Sequence, residues 1–330
     1  MDCIYLFSPI IDIVVSMQDA LPIRAGDTKG VDRVTMSAGG GANTLFAGKR
    51  IGLDIAPFGI VGDDDGGRIV LRDYARENIC TSYLHVKEGA DTQHVIVLVD
   101  PNGRHAFASD LHCDLGGAAR LREAVASAKA VIGSGYQLVS EENREKMSAY
   151  FRIARALGKR TFFDPGPMIP RIPQDSLEEM LRLTDVLVVN EEEAVLLSGA
   201  GSGVEAGDCL ALVVGKKVVV KRGADGCYIR ERGGAGTHCP GFPVKLVDTT
   251  GAGDSFLAAY ILGELAGWDA TTTALFANAM GAAKAAKLGC GTQVPTLQET
   301  LEILRGGGYA VDAETVLQRK QLTLRIKESD

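Results

Sequence analysis

No two cysteines of this chain stand in a C-x-x-C pair, although there are seven of them in 330 residues. Cys3, Cys80, Cys113, Cys209, Cys227, Cys239 and Cys290 are scattered and odd in number. That argues against a disulfide framework or a zinc site, and for free thiols in a reducing compartment. A basic cluster is also missing. The formal net charge is -7, and the main like-charge run is acidic, Asp63-Asp64-Asp65. This argues against nucleic acid or an anionic membrane surface as the main partner. No apolar run approaches the ~18 residues of a membrane span. The apolar start, MDCIYLFSPIIDIVV, has no Lys or Arg ahead of it and is interrupted by Asp12, so a signal peptide fits badly. A cytoplasmic protein is expected. No G-x-G-x-x-G follows the first apolar run, which weighs against a nucleotide-binding dehydrogenase.

What is present suits a globular chain, with 46% hydrophobic and 23% charged residues. The length fits one large α/β domain with a smaller appendage better than two equal domains. Short β-rich runs recur at residues 4–7, 55–62, 131–135, 160–164, 186–190 and 218–223, bounded by Gly, Pro, Asp or Asn. Amphipathic stretches such as 67–79 and 142–158 lie between them. This alternation predicts βαβ units and a mostly parallel sheet with helices on both faces. Residues 13–38 and 92–113 break the pattern, with β character and no helix between. HVIVLVDPNGRHAFAS (94–109) reads as a hairpin turning at Pro101-Asn102-Gly103. The two segments either form a small β lid over one end of the main sheet or extend that sheet. Helices are predicted at 251–266 and 271–288, and 316–328 reads as strand or helix.

The strongest motif is DTTGAGDSF, Asp248 to Phe256, followed by the apolar run LAAYILG. Gly251, Ala252 and Gly253 are small enough for a ligand to approach the backbone. The first N–H groups of the helix beginning there lack internal partners and favour an anion. Asp254 falls in that first turn, where the helix terminus stabilises the carboxylate as the anion and keeps it available as a base. Amides that hold charge beside a carboxylate that takes a proton suit phosphoryl transfer. An ordinary capped helix with an acidic first turn is the competing reading of these residues alone.

DTTGAGDSF closely resembles the second signature of the ribokinase-like (PfkB) carbohydrate kinase family. AGGGANTLFAGKRIG (38–52) resembles its first signature, a Gly-Gly segment followed by Asn, here Gly39, Gly40 and Asn43 or the same pattern one residue along. FGIVGDDDGG, NEEE (190–193), KRGADG (221–226) and FANAMGAAKAAKLGCGTQVP (276–295) resemble further family segments in the expected order over about residues 1–300. The resemblance implies a three-layer α/β/α fold with a mostly parallel central sheet and a small β-strand lid, forming a single kinase domain over residues 1–330. It implies ATP and Mg2+ as cofactors and transfer of the γ-phosphoryl group to a hydroxyl of a small sugar or sugar-like polyol. A homodimer through the lid is implied as well.

By the same resemblance Asp254 is the catalytic base, and Gly251, Ala252 and Gly253 form the anion hole. Asn190 and Glu193 organise Mg2+ and the ATP phosphates through water. Lys221, Gly223 and Gly226 form the loop past the nucleotide, and Asn278 lies near its adenine or ribose. Asp248, Thr250 and Gly289 match a monovalent-cation site, K+ in some members. Asp12, read at the end of the first strand, binds sugar hydroxyls with Gly40, Gly41 and Asn43, although Asn43 is also a candidate helix N-cap. The pattern departs from ribose kinases at Ile10 and Val139, where they carry Asn and Glu, so ribose is a poor first guess. Phe107 and Tyr83 are the main aromatics for stacking a base, and Arg104 and His105 could meet a phosphate on the sugar or form a solvated hairpin tip. A nucleoside kinase, a pyridoxal or hydroxymethylpyrimidine kinase of the wider superfamily, and a catalytically silent sugar sensor are the rivals. The Gly39–Asn43 segment argues against the second of these, and Asp254 argues against the third.

Overall fold

In a computed structural model, which describes residues 1–110, 114–117, 120–319 and 321–325, strand and helix alternate as the hydrophobic runs predict. The main sheet contains β1 (Cys3–Leu6), β4 (Ile55–Gly62), β5 (Leu84–Lys87), β8 (Ala130–Ser134), β9 (Arg160–Asp164), β10 (Val186–Asn190), β11 (Lys217–Lys221), β12 (Cys227–Glu231) and β13 (Gly236–Cys239). Their spatial order is β13-β12-β11-β10-β9-β8-β1-β4-β5. All neighbours pair in parallel except β11–β12 and β12–β13. Successive residues of each strand feed opposite faces, so Cys3 and Tyr5 join one core and Ile4 and Leu6 the other.

The first core is covered by α1 (Ala42–Arg50), α2 (Asp65–Arg76), α8 (Ala252–Ala266), α9 (Ala270–Ala285) and α10 (Leu297–Gly306). The second is covered by α3 (Leu121–Ser127), α4 (Glu141–Ala156), α5 (Gln174–Leu183), α6 (Glu191–Ser198) and α7 (Gly203–Leu210). This gives the three layers. Helix α8 is apolar nearly all round because it is buried nearly all round, from Ser255 to Gly263. A Cβ at Gly263 would meet Thr273 Oγ1 at 2.7 Å, so that glycine sets how closely α8 and α9 approach.

The segments that broke the alternation form their own sheet, in the order β3-β2-β6-β7, and do not extend the main one. Its strands are β2 (Ile10–Met17), β3 (Val31–Gly39), β6 (Gln93–Val99) and β7 (His105–Ser109). The lid therefore starts at Ile10, three residues earlier than the pattern suggests, and residues 111–113 of the expected lid lie outside the described residues. Asp12 is consequently a lid residue: β1 ends at Leu6, and Asp12 pairs with Ser37 and Val95 at the root of β2. The acidic run has a local role, since Asp64 caps α2 through the Gly67 N–H (2.8 Å) and accepts from the Thr92 hydroxyl (2.6 Å), tying the lid to the main sheet. Near the C-terminus a short helix α11 (Ala313–Leu317) is followed by irregular chain at 321–325, while residues 320 and 326–330 of the segment read as strand or helix lie outside the described residues. Among the described residues no helix is long and apolar enough to cross a membrane.

Candidate active site

The order of the main sheet reverses between β1 and β8, and in open α/β sheets ligands bind beyond the carboxyl ends of the strands at such a point. Three of the strands near it end on polar side chains aimed at one region: Asp164 closes β9, Asn190 closes β10 and Lys221 closes β11. Helix α8 points its N-terminus at the same place. Gly251 supplies its N-cap in the left-handed region (φ 78°), with no side-chain cap. An L side chain is strained there, and an uncapped terminus leaves first-turn amides for a ligand. The Ala252 N–H is already bonded to Thr249 O (3.0 Å).

Asp254 sits in that first turn and accepts a hydrogen bond from the Thr44 hydroxyl (2.9 Å). The sequence predicts a carboxyl held in its anionic form by the helix terminus. Burial wins instead and pushes it up to about 6; the Asp164 charge adds to this, while Thr44, Lys221 and Asn43 oppose it. At pH 7 it is still mostly ionised and so can accept a proton.

The expected nucleotide-side residues converge, with one partner that sequence reasoning missed. Lys221 Nζ lies 3.5 Å from Asp164. Burial alone would lower the Lys221 ammonium, but Asp164, Glu193 and Asp254 outweigh it and hold it above its ordinary value. Glu193 is pushed up by burial and then by Asp164. Asn190 and Glu193 form a capping box at the start of α6: Asn190 Oδ1 accepts the Glu193 N–H and Glu193 Oε2 accepts the Asn190 N–H, both at 2.8 Å. Three carboxylates thus share one ammonium. Among the described residues no three His, Cys, Asp or Glu side chains converge closely enough to ligate a metal directly. That donor set fits Mg2+ held through water and phosphate, since Mg2+ keeps several of its waters. Asp164 was legible as an acid at the carboxyl end of a buried strand, FFDPG. Tyr136, also missed, is pushed up to about 12 by burial and then by Asp254, Asp164, Glu193 and Asp12, so its phenol stays protonated within reach of all four fields.

Gly223 (φ 57°) and Gly226 (φ 85°) make the turn after Lys221, and a Cβ on Gly226 would collide with the Cys239 carbonyl. Asn278 is buried on α9 and donates to Pro240 O (2.9 Å) and Cys239 O (3.3 Å), so it fixes the loop after β13.

On the substrate side Asp12 is buried and pushed up to about 6 by burial; the Cys290 thiol and the Gly40 N–H oppose this, and Asp254 adds to it. A Cβ on Gly39 would fall inside the Asp12 carboxylate, and one on Gly41 would meet the Phe7 ring at 2.7 Å. Gly40 bends the chain at φ 55°. Asn43 does not cap its helix; Gly41 is the N-cap of α1. Its Oδ1 accepts the Gly291 N–H (2.7 Å), and its side chain also bonds Asp254, so it joins both halves of the site.

The expectations for Tyr83 and for the cation site change, and Arg104 takes the hairpin-tip reading of its two. Tyr83 hydrogen-bonds Ser127 Oγ (3.1 Å) at the opposite edge of the sheet and cannot stack a base in this site. Arg104 is committed to its own hairpin, with Nε on Asp100 (2.8 Å) and a guanidinium N–H on Leu21 O (2.5 Å), so it is not poised for a sugar phosphate. Phe107 stands 65% exposed on the lid, stacked with His105. Asp248, Thr250 and Gly289 do meet: Asp248 accepts the Thr250 N–H (2.9 Å) and the Gly289 N–H (2.8 Å). The ammonium of Lys284 is already bonded to the Asp248 carbonyl among them (3.2 Å), so these residues do not fit a resident K+.

A family model for pfkB carbohydrate kinases matches residues 7–297. The chain belongs to the pfkB family of carbohydrate kinases. It is 29% identical over 275 residues to an ATP-dependent ribose-1-phosphate kinase of Halopiger xanaduensis, covering 82% of this chain and 88% of that protein. It is 29% identical over 298 residues to a ribokinase of Bacillus subtilis, covering 89% of this chain and 96% of that protein. Among solved structures, the ribokinase of Arabidopsis thaliana complexed with ribose and ATP superposes with a TM-score of 0.79 at 22% identity, covering 92% of this chain and 98% of that one. At that identity the structure speaks for the fold. This pfkB kinase is an enzyme of the carbohydrate-kinase class.

Proposed function

We propose that this kinase transfers the γ-phosphoryl group of ATP to a hydroxyl of a small sugar or sugar-like polyol. The observation that carries the reading is the meeting of Asp254, in the uncapped first turn of α8, with Asp12 and Asn43 from the lid root and α1. Asp12 and Asn43 supply an acceptor and a donor for vicinal hydroxyls, which fixes the acceptor oxygen. Asp254 takes the proton of that oxygen as it attacks. Thr44 holds the carboxylate from one side, which fixes the direction of its other oxygen. The α8 amides around Gly251 and Gly253 receive the negative charge of the transferring group. Lys221 stands beside them: a Cβ on Gly253 would lie 3.3 Å from its Nζ, close enough for the ammonium to serve the same charge.

Asn190, Glu193 and Asp164 would hold Mg2+ through water, and the ion when bound would offset phosphate charge. Relatives named for ATP-dependent kinases support ATP as donor. A ribose-1-phosphate kinase among them makes sugar phosphates part of the acceptor class to be tried. Val34, Met36, Ile96 and Phe107 leave the lid with exposed apolar side chains, which supports a homodimer through the lid. The test is ADP release with ATP and Mg2+ across free sugars, sugar acids, sugar phosphates and nucleosides. Turnover on a polyol class is the expected result; turnover on nucleosides alone would replace the acceptor, and ATP binding with no turnover on any acceptor would replace the enzyme with a sensor.

A further inference from the structure

Helix α9 carries a lysine on its last turn in a place where lysines are rarely found. Lys284 has no exposed surface. Burying an ammonium costs several kcal/mol unless its protons are matched by oxygen. The oxygens are supplied by backbone. Nζ donates to the Lys287 carbonyl (3.1 Å) and to the Asp248 carbonyl (3.2 Å), and it lies 3.9 Å from Asp248 Oδ2.

The two segments it joins are also stitched together by Val247 N–H and Asp248 N–H on Ala285 O (2.8 and 3.1 Å), and by Gly289 N–H on Asp248 Oδ2. One of these segments runs directly into the anion loop. A Cβ on Gly251 would lie 3.8 Å from Lys284 Cε, so the side chain passes immediately beneath the N-cap of α8.

Two carbonyls and a carboxylate around one positive charge make the kind of oxygen cage that holds a dehydrated alkali cation. An ammonium is comparable in size to K+ and carries the same charge. The two cannot share the same oxygens, because they would lie within repulsive reach with no water between them.

We propose that Lys284 is a built-in monovalent cation: its ammonium fills the oxygen cage between Asp248 and the α9–Gly289 turn, holds the anion loop in place, and makes this kinase independent of added K+. The proposal rests on the kinase reading for its effect on turnover, but not for its effect on the cage. Lys284 is a positioning residue, since it reaches the phosphoryl site only through the Asp248–Gly251 backbone. Its charge lies beside the Gly251 N-cap, where it adds to the field of the α8 amides.

The experiment compares wild type with Lys284→Ala in KCl, NaCl and choline chloride at equal ionic strength, reading both thermal midpoint and ADP release. Wild type is expected to give the same midpoint, and turnover within about twofold, in all three salts. A K+-specific rise of tenfold or more in wild-type turnover would overturn the proposal without any variant.

Lys284→Ala vacates the cage. Its turnover should fall on the order of 10²-fold, as for loss of one donor to a preorganised charge. K+ or ammonium, but not choline, should raise its midpoint and recover part of the rate. Full activity of the variant in choline would remove Lys284 from the mechanism. A folded but slow variant with no cation preference in either readout would make the lysine a packing residue only. If the alanine variant does not fold, Lys284→Met is read the same way for loss of turnover, and the wild-type salt comparison still decides. A wild type silent on every acceptor in every salt would count against the kinase reading, whereas a K+-specific midpoint gain in Lys284→Ala would still support the cage.

Discussion

At the amino edge of the main sheet, three buried or half-buried acids lie beside bases. Asp2 pairs with Arg319 and Lys129, Glu264 with Lys217 and Arg160, and Asp185 lies near Lys216. At the carboxyl edge the balance is different. Asp254, Asp164 and Glu193 share Lys221, and among the described residues Asp12 has no ion pair. The carboxyls answer in opposite directions. Burial would raise Asp2, but Arg319, the Asp54 N–H and Lys129 hold it well below the usual carboxylate range. Burial raises Asp254 and Asp12 to about 6, and their partners recover only part of it. The amino edge is arranged for stability. The carboxyl edge holds unneutralised negative charge, which favours a cationic ligand and keeps two carboxyls near the pH at which they work.

The sharpest way to break this comparison is to neutralise one acid at the carboxyl edge. Asp254→Asn keeps the shape and the Thr44 contact but cannot take a proton. Turnover should fall about 10²–10⁴-fold, the usual worth of a positioned general base. ATP binding, followed by calorimetry, should change little. Near-normal turnover would sink the assignment.

Asp12→Asn should do less and act elsewhere. A charge-assisted hydrogen bond is worth about 1.5–3 kcal/mol, so KM for the acceptor should rise about 10–100-fold while kcat falls less. Gly39→Ala sharpens this test, because its methyl displaces the Asp12 carboxylate without removing it. The same KM defect in both variants would locate the effect at that carboxylate. A KM defect in neither would move sugar recognition away from the lid root.

The two raised carboxyls also give a pH signature. Below about 6 both take protons; Asp254 then cannot act as base and Asp12 loses its charge. The acid limb of kcat/KM should therefore fall with a slope above one for wild type and close to one for Asp12→Asn, or about tenfold per pH unit from the remaining group. An acid limb that starts below pH 5 would contradict the burial argument.

How much of the fold and site is legible in the sequence follows from range. The motif around Asp254 is local: small residues, a helix start and an acid within nine positions fix their own geometry. The βαβ order follows from runs of apolar residues for the same reason. Tyr136 and Lys284 escape a sequence reading, and Asp164 is legible only as an acid closing a buried strand, because each matters through what the fold brings beside it. Asp164 meets Lys221 from 57 positions away, and Lys284 meets Asp248 across 36. The direction in which Asp254 moves is hidden on the same ground. A helix terminus can be read from sequence, but the burial that outweighs it depends on α1, β1 and β9 closing around the carboxyl. Asp12 reads as part of the first strand because IYLFSPIIDIVV is mostly apolar, and the break at Ser8-Pro9 is where the chain leaves the main sheet for the lid.

The smallest expected effect is on stability, and it separates the two edges by sign. A carboxyl whose folded value lies near 6, against an ordinary 3.8, makes the fold bind more protons than the unfolded chain between those values. The stability it contributes is present below about pH 4 and lost as pH rises through about 6. At pH 7 wild type therefore carries a cost that Asp254→Asn removes. The distance between those two values bounds that cost at about 3 kcal/mol, and relaxation of the unfolded reference makes it smaller. The thermal midpoint of Asp254→Asn should rise by about 2–6 °C at pH 7. It should rise far less at pH 4, where the wild-type carboxyl is already protonated. Asp2→Asn should do the reverse, lowering the midpoint at pH 7 because it strands Arg319 and Lys129. A midpoint that falls in both variants at pH 7 would mean that the carboxyl edge is held together by its charges as the amino edge is, and that the strain assigned to Asp254 does not exist.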